Sequence, residues 1–133
     1  MGTHPNTIIM CVLTPDDLAR KTFRAIAAEQ GAEVDDDTAE LKVLGRTSTW
    51  ADGSVHVNTD FRMMVMEDNY HDSYQISAPE GSIVVHDYLT YGYGEVVTWS
   101  EVEEVKNKLD AWAKGVCERH KCSYEIKLTA NYW

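Results

Sequence analysis

Basic side chains are scarce in this 133-residue chain: 12 Lys and Arg stand against 22 Asp and Glu, a formal net charge of −10. Counterion release from a phosphate backbone needs a basic footprint. The imbalance therefore argues against direct nucleic-acid binding and against anionic membrane surfaces. Cysteine is scarce too. Cys11, Cys117 and Cys122 are an odd number in a chain long enough to bury a core without staples, which fits a reducing cytoplasm better than a secreted disulfide framework. Long apolar runs are missing: Ile8 to Leu13 is too short for a membrane span or the core of a signal peptide, and no basic start precedes it.

Signatures of chemistry are equally thin. There is no HExxH, CxxC, EF-hand loop or GxSxG elbow. Tyr91-Gly92-Tyr93-Gly94 lacks the third glycine or the lysine of a phosphate cradle. His56, His71 and His86 have Asp60, Asp72 and Asp87 near them in sequence, without metal-ligand spacing. Cys117, His120 and Cys122, at the end of a helix, are expected to point in different directions. Neither catalytic residues, nor a cofactor, nor a metal is expected. A small enzyme using Asp60, His56 or His86 is the remote rival.

What is present is ordinary globular material, 44% apolar and 26% charged, sized for a single domain over residues 1–133. Thr7 to Leu13 reads as a buried strand. Thr14 and Pro15 read as cap and first residue of a helix that stops at Gly31, with Asp16–Arg20 and Asp17–Lys21 as pairs one turn apart. Strand character follows over Leu41 to Trp50 and, after an Asp52-Gly53 turn, over Val55 to Val65, where Phe61, Met63 and Val65 share one face and Arg62 lies on the other. A short strand near Tyr74 to Ser77, a turn at Ala78-Pro79-Glu80-Gly81 and a strand from Ser82 to Tyr91 come next. A second helix starts at Thr98 or Ser100, each with a glutamate at capping-box spacing, and carries Val102, Val105, Leu109, Trp112 and Val116 on one face. Ser123 to Tyr132 alternates as a last strand. The order β-α-β-β-β-β-α-β predicts an α+β two-layer sandwich, a mostly antiparallel sheet of about five to six strands with two helices on one face.

Two patches stand out for binding. Glu33, Asp35, Asp36, Asp37 and Glu40 form a dense acidic stretch, and Glu67, Asp68 and Asp72 a second group. Such acids keep a protein soluble, and they also draw a basic surface. Tyr88, Tyr91, Tyr93 and Trp99 fall within twelve positions and could stack a ligand, with Arg46 or Arg62 supplying charge to a phosphate. The leading expectation is a noncatalytic cytoplasmic inhibitor of a basic, nucleic-acid-handling protein or toxin. The alternative is a binder of a nucleotide-like molecule. Oligomeric state is not readable from the pattern.

Overall fold

A computed structural model describes residues 5–31, 40–42, 61–66, 78–91 and 96–132. The elements are β1 (Pro5–Pro15), α1 (Ala19–Glu29), β2 (Glu40–Lys42), β3 (Arg62–Val65), β4 (Ile83–Tyr91), α2 (Trp99–His120) and β5 (Cys122–Tyr132). Among the described residues five strands form one sheet in the order β2-β3-β4-β1-β5, and every neighbouring pair is antiparallel. The chain is α+β, as expected. Because β4 and β5 both run against β1, they run parallel to one another, and α2 carries the chain between them. The first strand is thus inserted into a split β-α-β unit. The Asp52-Gly53 turn and the short strand near Tyr74 lie outside the described residues.

Both helices pack on the same side of the sheet. Ile9, Cys11 and Leu13 of β1, Met63 and Val65 of β3, and Val85 and Leu89 of β4 meet Phe23, Ile26 and Ala27 of α1 and Val105, Leu109, Ala113 and Val116 of α2. The second face of the central strands is buried as well, with Ile8, Met10, Val12, Met64, Met66, Val84 and Tyr88 in one cluster. This explains why β1 reads as an unbroken apolar run: each residue from Ile8 to Leu13 needs a dry environment, whichever face it takes. Met64 and Met66 belong to the same pattern, although alternation through Met63 and Val65 draws attention to one face alone.

The first helix begins later than expected. Thr14 pairs with Ser123 and Pro15 with Cys122, so both residues extend β1. Asp16 continues the attachment by donating its backbone N–H to the Lys121 carbonyl at 3.1 Å. Pairing with the far end of the chain overrides the local cap signal, and Leu18 becomes the N-cap without a side-chain bond. Asp17 still serves the helix start: its Oδ1 accepts from the Leu18 N–H, and its Oδ2 accepts from Lys21 Nζ, each at 2.8 Å. Lys21 is the pairing expected one turn on. Gly31, at φ 77°, ends the helix in the left-handed conformation that glycine allows without strain.

The second helix starts at the first of its two candidate caps. Thr98 Oγ1 accepts from the Glu101 N–H at 3.1 Å, and Glu101 Oε2 accepts from the Thr98 N–H at 3.0 Å. The turn before β4 is also formed, the Ser82 N–H donating to the Pro79 carbonyl at 3.1 Å with Gly81 at φ 86°.

Candidate functional site

Of the acidic candidates, Glu33, Asp35, Asp36, Asp37, Glu67, Asp68 and Asp72 lie outside the described residues. Glu40 opens β2, at one edge of the sheet, opposite Met64 of β3. In the sequence the acids cluster: Glu33, Asp35, Asp36, Asp37 and Glu40 are five carboxylates within eight residues, with no base among them.

The aromatic candidates are divided by the sheet. Tyr88 is buried on the face away from the helices. Trp99 is the first residue of α2, in the helix layer, and is 81% exposed. A single stacking wall of Tyr88 and Trp99 is not assembled. Tyr91 ends β4 opposite Asn6, while Tyr93 and Arg46 lie outside the described residues. Arg62 behaves differently. It pairs across the sheet with His86, and alternation places Arg62, His86 and Tyr88 on the same face. The His86 and Tyr88 rings meet edge to face, with centroids 6.3 Å apart at 73°. Asp87 points to the helix face and is buried. Beside this group the β1–β4 register slips at Thr7/Ile8, and the Thr7 N–H donates to Thr90 Oγ1 at 3.1 Å. Such irregularities re-aim side chains next to a site.

No protein-family model, curated protein or solved structure matches this chain.

Three further arrangements were not visible in the sequence. At the joined ends of the helices, Arg119 Nε donates to Glu29 Oε1 at 2.6 Å and to Oε2 at 3.3 Å, while His120 Nε2 bonds the same Oε2. Burial pushes the Glu29 carboxyl upward, but the bonds from His120 and Arg119 outweigh it and leave the group below its ordinary value. Ninety residues of sequence separate these partners, so no local spacing could announce them. A cleft of about 260 Å³ beside them is lined by charges of both signs, including Asp16, Asp17, Lys21 and Lys121. That mixture favours an ion-pair network over a selective anion site.

The thiols form the second arrangement, and they correct an expectation. Cys117 and Cys122 lie close enough to influence one another rather than diverging, and Cys122 Sγ donates to the His120 carbonyl at 3.7 Å. Lys121 adopts the left-handed conformation at φ 56°, ψ 62°, which turns the chain sharply and returns Cys122 toward the last turn of α2. Burial pushes the Cys11 and Cys117 thiols up to about 12 and raises Cys122 as well. Protonated thiols are poor nucleophiles and poor metal ligands. Among the described residues no three His, Cys, Asp or Glu side chains converge as a metal site, and no helix is long and apolar enough to cross a membrane.

The third is an apolar groove of about 410 Å³ between the start of α2 and the edge strand β5. Ile9, Trp99, Val102, Ile126 and Leu128 line it, and Glu103 and Lys106 form its charged rim. Apolar walls with a polar rim are the usual composition of a contact surface.

Proposed function

We propose that this chain is a noncatalytic binding protein that inhibits a basic macromolecule-handling protein in the cytoplasm, as a virus-encoded anti-defence inhibitor or a toxin antidote would. The observation that carries this reading is the excess of acid, 22 Asp and Glu against 12 Lys and Arg, with five carboxylates packed into the eight residues from Glu33 to Glu40. A field of one sign accelerates encounter with a surface of the other and disfavours wrong partners. Within about 8 Å, the Debye length at physiological salt, neighbouring carboxylates act together.

Affinity capture from a host lysate at low and high salt would isolate the partner, and association kinetics would then test the role of the acids. Converting Asp35, Asp36 and Asp37 to Asn is expected to slow association and flatten its salt dependence while leaving folding unchanged. A triple variant that associates like wild type at low salt would reduce the acids to a solubility device.

A second reading is supported by the shared face of Arg62, His86 and Tyr88. A cation beside aromatic rings suits an anionic, nucleotide-like ligand. Native mass spectrometry of the purified chain would reveal a retained small molecule. Loss of that molecule on Arg62→Ala would support this reading; a bare chain that no nucleoside phosphate stabilises against heat would end it.

A further inference from the structure

The sheet ends on an eleven-residue strand. β5, Cys122–Tyr132, pairs with β1 along one side, and among the described residues nothing flanks the other. An edge of this length presents a row of unpaired backbone donors and acceptors, a template for another strand. Its side chains divide cleanly. Tyr124 and Ile126 pack toward the helices, and Leu128 lines the groove under α2 while remaining 50% exposed. Glu125 and Lys127 lie on the opposite face, 3.9 Å apart and 72% and 46% exposed.

We propose that a second copy of this chain docks on β5, antiparallel, about a two-fold axis through Ile126. The charges select this register. Keeping both helix layers on one side of the joined sheet requires the axis to pass through a residue, because a slip by one reverses the faces. An axis through Glu125 sets that residue against itself, and an axis through Lys127 does the same for lysine. An axis through Tyr124 opposes Glu125 to the partner's Ser123, and one through Leu128 opposes it to the partner's Asn131. An axis through Ile126 places Glu125 opposite the partner's Lys127, twice by symmetry. It also sets Tyr124 against the partner's Leu128 on the helix side, which covers the half-exposed leucine with an aromatic ring. The strand is therefore self-complementary in charge and in apolar contact, as an isologous interface demands.

Sedimentation velocity of the full chain over a concentration series at low salt tests this directly, and a dimer is expected. E125K and K127E each bring like charges together twice across the axis and are expected to weaken the dimer by about tenfold or more. The double variant E125K/K127E restores opposite charges and is expected to recover wild-type dimerisation. Far-UV circular dichroism checks that each variant folds, and both positions are exposed enough to tolerate reversal. A monomer at every concentration overturns the proposal. So does a dimer that ignores the single reversals, or one that the double variant fails to restore.

Discussion

The Tyr124 hydroxyl donates to Asp110 Oδ1 across 2.7 Å, tying the edge strand β5 to the middle of α2. This bond holds the Tyr124 hydroxyl up to about 12, against an ordinary value of 10.0, because ionisation would remove the donor and face the carboxylate with a second negative charge. In the unfolded chain the group ionises near its ordinary value. Between the two values the folded state therefore binds the extra proton, and stability present below pH 10 declines as pH rises toward 12. Tyr124→Phe is expected to cost about 0.5 kcal/mol at neutral pH, given the exposed setting, and to flatten the alkaline decline. Denaturation of both proteins on either side of pH 10 measures the difference; identical alkaline slopes would show that the bond does not form in solution.

Leu109 is fully buried between α2 and the sheet. Leu109→Ala is expected to cost about 2–5 kcal/mol by urea denaturation, the sum of lost transfer energy and residual cavity. A loss under about 0.5 kcal/mol, the range of neutral surface changes, would place α2 away from the sheet.

Lys121 occupies the left-handed region without being glycine. Lys121→Gly is expected to stabilise the chain by about 0.5–1 kcal/mol, through relief of the Cβ clash in that conformation. Lys121→Val, with a branched Cβ, is expected to destabilise it. Midpoints moving the same way for both variants would deny the strained turn.

The three thiols are expected to stay reduced and slow to alkylate. With Cys117 held up to about 12, its thiolate fraction at neutral pH is on the order of 10⁻⁵. Intact-mass measurement after alkylation without reductant should find no bridge, with Cys11 modified only on unfolding. Rapid labelling of native Cys11 would show that β1 is not the dry centre of the sheet.

What could be read in advance was local. The run from Ile8 to Leu13 announces a strand because burial on both faces leaves no polar position, and Thr98 with Glu101 announces a helix because its cap lies within four residues. The start of α1 is not legible locally because Thr14 and Pro15 answer to Ser123 and Cys122, partners that no window around them contains. The approach of Cys122 to Cys117 is not legible, because it depends on the left-handed conformation of Lys121. The salt-bridged ends of the helices leave no local sign, because Glu29 meets Arg119 by tertiary packing alone. The continuous run Met63 to Met66 did carry a sign of burial on the second face, since strict alternation would have placed a polar residue at Met64.

Strand order also governs the timing of assembly. β1 is synthesised before both of its neighbours, β4 and β5, and Thr14 waits for Ser123. Until β5 follows, the apolar residues Ile8 to Leu13 have no complete setting, and closing so long a loop is slow. Nascent chains truncated before β5 should therefore depend on chaperones for as long as β1 remains open on that side.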